Sequence, residues 1–321
     1  MRRIPGKDLS NIYPRMAHSQ KVLVAKELGI VYRQLLSITN PSSGLLKEPL
    51  EETTTPPSEP WLMPLGMDSY WMRRPDPRVS EMGDELLTNE TLEAEPEGLN
   101  SRDTVLLAFK RRLYYSTKCN FPWEVDIERK AIDVINDVAR DGLLDDHINC
   151  LWHTDLFPRN IMFDEETWPE NPYISGILDW DDAAFAPRFM ACRPPDWLWD
   201  TRADDDDSSS DEPLDTLQPQ TAEAAEIKEA FDLSVGEVYC KLAYNPKLIV
   251  VRRLLLHCLQ AQWSDSTLKR FQDVLDHWEI LKANDLARKL KAQNDAWFLT
   301  LALAILFAIL AVAIASIWRY V

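Results

Sequence analysis

The sequence predicts an α+β protein, mostly helical, with short strands around one polar segment and a long apolar helix near its C-terminal end. Three observations carry that expectation. Two brief apolar or mixed runs, residues 161–163 and 173–178, are bounded by Pro, Asn and acidic residues, as strands are. Several longer stretches repeat apolar residues at helical spacing. The run 296–318, AWFLTLALAILFAILAVAIASIW, extends for 23 residues without a charge.

Composition narrows the function. Hydrophobic content of 45% and 12 Trp suffice for a packed core in 321 residues, enough for one large domain or two small ones. A formal net charge of -17 argues against a nucleic-acid partner, because a phosphate backbone demands a basic face. The five cysteines are scattered without a CxxC pair, which suits reduced thiols and gives no zinc spacing. Residues 1–10 are basic and contain Pro and Gly, without the apolar centre of a secretory signal.

Taken in order, residues 14–37 place apolar side chains at 22, 23, 24, 28, 31, 35 and 36, the pattern of an amphipathic helix with Pro14 in its first turn. His18 is read as a surface residue of that helix. Residues 40–100 mix Pro and acid and are expected to form an irregular insertion. Trp61, Met63, Leu65, Trp71 and Met72 pack part of it on the domain. Helices are expected over 101–115, from the N-cap Ser101, and over 124–141, stopped by Gly142. Lys110, Arg111 and Arg112 read as solvated helix charges in preference to a face for an acidic partner. The block 202–220, RADDDDSSSDEPLDTLQPQ, has too little apolar surface to fold alone and reads as a disordered loop. Its serines, 208 to 210, sit beside acid and suit an acidophilic kinase. Three more helices are expected over 221–240, 247–262 and 266–291. Their apolar stripes, such as Leu248, Val251, Leu254, Leu255 and Cys258, are core faces.

As a helix, 296–318 would measure about 35 Å, enough to cross a hydrocarbon core of about 30 Å with some tilt. Trp297 and Trp318 stand at its ends. Arg288, Lys289 and Lys291 precede it, against Arg319 alone beyond it. That bias predicts a tail-anchored, single-pass membrane protein with its main domain in the cytosol. The sparse charge beyond the run favours the endoplasmic reticulum over the mitochondrial outer membrane.

The chemistry concentrates in residues 150–182, CLWHTDLFPRNIMFDEETWPENPYISGILDWDD. His153 and Asp155 precede Asn160, and Asp179 lies between Leu178 and Trp180. One carboxylate and one amide on a loop, with a second carboxylate behind them, suit phosphoryl transfer. A carboxylate accepts the proton of the attacking hydroxyl, and oxygen ligands hold magnesium against the phosphates. Asp155 is then the base, and Asn160 and Asp179 are the metal ligands. The competing reading is that these side chains merely cap turns between short strands.

The runs HTDLFPRN and ILDWD resemble the catalytic and metal-binding loops of the aminoglycoside phosphotransferase and choline kinase-like family, whose fold is that of protein kinases. The later run ACRPPDWLW, residues 191 to 199, is similar to its fungal branch. The resemblance covers residues 1–290 and implies ATP with Mg2+ as cofactors and a small-molecule hydroxyl as acceptor. It implies a catalytic loop ordered by His153, without proton transfer by that residue. It also implies that Ile4 and Pro5 belong to the hinge that meets adenine. Residues 1–39 then hold a hinge remnant and the first helix of the larger kinase lobe, and 101–292 the rest of that lobe. Where the family has Gly, His and Gly, this sequence has Thr154, Phe157 and Arg159.

The family's small sheet lobe, with its phosphate-covering loop and lysine, has no counterpart ahead of the hinge. No GxGxxG cluster replaces it later. The chain is therefore expected to transfer phosphate poorly. The alternatives are a membrane-tethered inactive pseudokinase or scaffold, and a truncated gene product.

Overall fold

The computed structural model describes residues 4–46, 62–63, 65, 98–118, 120–164, 173–200, 218–259 and 265–318. Residues 1–275 form one compact unit and 276–321 a second.

The first unit is α+β. Its N-terminal strand β1 (Lys7–Asp8) leads into a short helix, α1 (Leu9–Ile12), capped by Asp8, whose side chain accepts from the Asn11 amide. A 3-10 turn at Tyr13–Arg15 takes Pro14, so the long helix α2 (His18–Ser37) starts later than its sequence pattern suggests. Gln20 caps it by accepting from the Ala17 N–H at 2.6 Å. His18 stands in its first turn but is engaged, 2.8 Å from Glu226.

After α2 come strands too short to show alternation: β2 (Thr39–Asn40), β3 (Gly44–Leu46) and β4 (Leu62–Met63). The region expected to be an irregular insertion thus supplies strands to a sheet. Leu65 is buried as expected; Trp61, Trp71 and Met72 lie outside the described residues.

Helices α3 (Ser101–Lys118) and α4 (Pro122–Arg140) follow, the second with Pro at its first position. They face each other across a buried ionic cluster that corrects the reading of Arg112 as a solvated charge. Arg112 is 5% exposed, with Nη2 3.4 Å from Glu124 Oε2 and Nε 3.3 Å from Glu128 Oε1. Ser116 Oγ donates to both carboxylates, at 3.2 and 2.8 Å. Burial, opposed by Ser116 and Arg112, pushes the Glu128 carboxyl up to about 7.

The chain then enters β5 (Asn149–Trp152), β6 (Ile161–Asp164), β7 (Tyr173–Ile177) and β8 (Ala184–Pro187). Two antiparallel sheets result. One is three-stranded in the order β1-β6-β7, and the other five-stranded in the order β2-β5-β8-β3-β4. The residues of β8, AFAP, are all buried, and pairing along β5, from Asn149↔Pro187 to Trp152↔Ala184, makes them a strand.

A short helix α5 (Arg188–Ala191) precedes α6 (Ala222–Val235), α7 (Glu237–Ala243) and α8 (Pro246–Leu259). The single helix expected over 221–240 breaks at Gly236, whose φ of 97° ends α6. The block 202–220 falls almost wholly outside the described residues.

The core forms where α2 meets α6. Gly29 makes the contact possible, since a Cβ there would stand 2.7 Å from Ser234 Cβ and 2.9 Å from Phe231 O. Around it, Tyr32, Phe231 and Tyr239 meet edge to face at 5.5 to 5.6 Å. Arg252 is fully buried, yet its guanidinium donates to Phe189 O at 2.7 Å and Ala243 O at 3.0 Å, the second at the end of α7.

The last helix, α9 (Asp265–Trp318), runs through the apolar stretch. Among the described residues no helix is long and apolar enough to cross a membrane. The side chains of 301–318, on which the anchor expectation rests, lie outside those described.

Candidate active site

The polar segment is held between the two sheets by main-chain bonds. Strand β5 delivers His153, and a tight turn follows, with the Phe157 N–H donating to Asp155 O at 2.9 Å. Pro158 then starts a 3-10 turn, Pro158–Asn160, which hands the chain to β6. Strand β6 pairs with β7 from Ile161↔Ile177 to Asp164↔Tyr173, so Asn160 at the start of one strand lies beside Leu178 at the end of the other. The Leu178 N–H donates to Asn160 O at 2.8 Å.

His153 closes the link from the other side. It is 5% exposed, and its Nε2 lies 2.8 Å from Leu178 O. The Asp155 N–H donates to its Nδ1 at 3.3 Å. These two bonds select the tautomer with the proton on Nε2. The Trp180 ring packs edge-on at 4.7 Å. Both peptide groups of Leu178 are thereby tied to the loop that carries Asp155, which brings Asp179 to the same end of the strands as Asn160.

Asp179 itself is exposed and has a φ of 62°. Asp and Asn tolerate this left-handed conformation better than other non-glycine residues. Asn160 is 6% exposed; its Nδ2 donates to Asp155 O at 2.8 Å and to Asp155 Oδ2 at 2.9 Å. With the amide nitrogen engaged, the oxygen is the atom left for a cation. An amide oxygen and a carboxylate on paired strand ends are hard donors that fit magnesium, which takes few protein ligands and fills its shell with phosphate and water. Among the described residues no three His, Cys, Asp or Glu side chains form a metal cage. Asp181 and Asp182 are exposed in the next turn.

Asp155 differs most from expectation. Its carboxylate is held by Arg159, whose Nη2 donates to Oδ1 at 2.7 Å and to Oδ2 at 2.6 Å. The Arg159 guanidinium carbon stands 5.0 Å from the centre of the Phe157 ring, and that of Arg193 stands 5.4 Å from the same ring. The departures at 157 and 159 therefore interact with each other and with the expected base. Arg193 comes from the 191–199 segment, which core tyrosines fix in place. The Tyr239 hydroxyl donates to Arg193 O at 2.5 Å, and the Tyr13 hydroxyl to Leu198 O at 2.7 Å. A cleft beside this group is lined by His153, Thr154, Phe157, Arg193, Asp196 and Trp197. Sequence reasoning weighed Arg159 as a phosphate contact against simple exposure and favoured the second, and it gave Arg193 no role; the i,i+4 spacing of Asp155 and Arg159 was the available signal for their pairing.

Ile4 and Pro5 precede β1 and lie against β7. Ser175 Oγ donates to Pro5 O at 2.6 Å, and Ile4 fills the space above Gly176. Gly6 has a φ of 102°, and a Cβ there would sit 2.1 Å from Phe163 O, so the segment lies flat on β6. The expected hinge residues thus lie against β7, the strand that leads to Asp179.

The profile of the phosphotransferase enzyme family matches residues 1–190. The chain belongs to that family, which carries out kinase-like phosphoryl transfer. No curated protein and no solved structure matched it.

Proposed function

We propose that this chain transfers a phosphoryl group from MgATP to the hydroxyl of a small molecule. The observation that supports the reading is the bracing of Leu178 by His153 and Asn160, which ties the residue before Asp179 to the loop that carries Asp155 and Asn160. Asp155 takes the proton of the attacking hydroxyl. Asn160 and Asp179 would hold magnesium, and Ile4 and Pro5 would border the adenine. Bound MgATP would supply the phosphoryl group together with the cation that offsets its charge. His153 keeps the loop rigid, so that the base and the metal ligands keep their spacing.

Purified full-length protein is expected to turn over ATP, slowly, in the presence of magnesium and a hydroxyl acceptor. Asp155→Ala should lower that rate by about 10²- to 10⁴-fold, the usual contribution of a positioned base. Equal rates in the wild type and Asp155→Ala would reject the assignment.

A second reading, a membrane-tethered inactive scaffold, is favoured by one observation: Arg159 occupies both oxygens of the base. It predicts no turnover, with partner binding indifferent to Asp155→Ala and Asp179→Asn.

In either case residues 296–318 anchor the protein in the endoplasmic reticulum membrane, with the main domain in the cytosol. The run is helical, and the exposed rings of Trp297 and Phe298 pack together at its start, where an aromatic belt would lie. Carbonate-washed membranes should retain the full chain and release one lacking 296–318. Retention of the shortened chain, or fractionation with mitochondria, would overturn this placement.

A further inference from the structure

The acidic balance of this chain makes the cationic pair beside its base informative. With a net charge of -17, the surface as a whole repels anions. Arg159 and Arg193 nevertheless both lie against the Phe157 ring, and Phe157 and Arg193 line the cleft. Guanidinium groups present paired donors that match a carboxylate or a phosphate, and a ring beneath them holds their planes in place. Arg159 meanwhile engages the one group that must be released for proton transfer. Both partners of this ion pair touch solvent, with side-chain exposures of 57% for Arg159 and 35% for Asp155. Exposed pairs of this kind are weak, typically worth about 0–1 kcal/mol. A competing anion can therefore take Arg159 at little cost.

We propose that Arg159 and Arg193, stacked on Phe157, clamp an anionic group carried by the acceptor, and that Arg159 leaves Asp155 to do so. The acceptor class is then a hydroxy acid or a phosphorylated alcohol. Its own charge frees the base that will take its hydroxyl proton. A neutral alcohol leaves Arg159 on Asp155 and is handled poorly. Asp196 lines the same cleft and disfavours an anion beside its own carboxylate. This inference rests on the phosphotransferase reading for the fate of the hydroxyl. The anion clamp can be measured without turnover.

The test is calorimetric titration of the full chain with glycerate, glycerol, inorganic phosphate and a non-hydrolysable ATP analogue. Glycerate and phosphate should bind, glycerol should not, and Arg159→Gln or Arg193→Gln should each weaken glycerate binding at least about tenfold. Asp155→Asn weakens the hold on Arg159 and should tighten glycerate binding by about twofold to fivefold, the equivalent of an exposed ion pair. The same change in an Arg159→Gln background should do nothing, which separates release of Arg159 from the loss of a repelling charge.

Equal binding of glycerate and glycerol, or glycerate binding unaffected by Arg159→Gln, overturns the clamp. Loss confined to the ATP analogue reassigns Arg159 to the nucleotide and likewise overturns it. Failure of the clamp with magnesium-dependent turnover intact would leave the proposed function standing. Arginine-dependent glycerate binding without turnover would reject the function and keep the site.

Discussion

Asp179→Asn is expected to leave the fold intact and to lower magnesium-dependent phosphoryl transfer by about 10²- to 10³-fold, the several kcal/mol that a bound cation contributes. The choice of Asn matters. The backbone at this position has a φ of 62°, which most side chains resist. Alanine there would add about 1–2 kcal/mol of conformational strain to any catalytic effect. Asn accepts the same backbone, keeps the shape and removes only the charge. Because the side chain is exposed, no buried partner is orphaned. The rate loss should come with a higher magnesium requirement, since one of two protein ligands is weakened. The check is turnover against magnesium concentration, with an unfolding curve on the same protein. An unchanged magnesium requirement would remove Asp179 from the site.

Arg112→Met is expected to be the most damaging single change to stability, at about 3–5 kcal/mol near pH 8. Methionine fills the volume of the arginine stem, so the loss is electrostatic. Glu124 and Glu128, 1% and 0% exposed, would face each other without their shared cation. The penalty should shrink on acidification, because protonated carboxyls no longer need that cation. The sign follows from Glu128. Its ordinary value is 4.5, and burial pushes it up to about 7 in the folded chain. The folded state therefore holds a proton that the unfolded chain has released. The contribution of this group is fully present below about pH 4.5 and is lost as pH rises through 7. Urea midpoints at pH 5 and pH 8 test this, with Glu128→Gln expected to flatten the wild-type slope. A loss of the same size at both pH values would contradict it.

Which features the sequence disclosed depended on how local their causes were. The long helices were legible because apolar periodicity is a property of one stretch. Strands β6 and β7 were legible because turn residues bound them on both sides. The order Asp155, Asn160, Asp179 suggested the chemistry, since few arrangements place an amide and two carboxylates around adjacent short strands.

The two-residue strands were not legible. Lys7 and Asp8 become a strand only because Phe163 and Met162 pair with them. The same holds for Thr39 and Asn40 against Cys150 and Asn149. Arg112 was misread because its partners lie on the next helix, beyond any window of periodicity. Gly236 breaks a helix whose apolar pattern continues on both sides. At the site, the missed residues are those whose meaning comes from a neighbour. Phe157 and Arg159 are only substitutions until Arg193 arrives, from another element, against the same ring.

The bracing of Leu178 has a consequence for how this site can change over generations. Its two ties run through peptide groups, from the His153 ring and to the Asn160 carbonyl, and neither consults the Leu178 side chain. On the proposed function, the spacing of base and metal ligands is therefore indifferent to most drift at that position. On that reading, acceptor preference could be rewritten at 154, 157 and 159 while Asp155, Asn160 and Asp179 stay in register. A lineage of such proteins could explore new substrates without dismantling its chemistry.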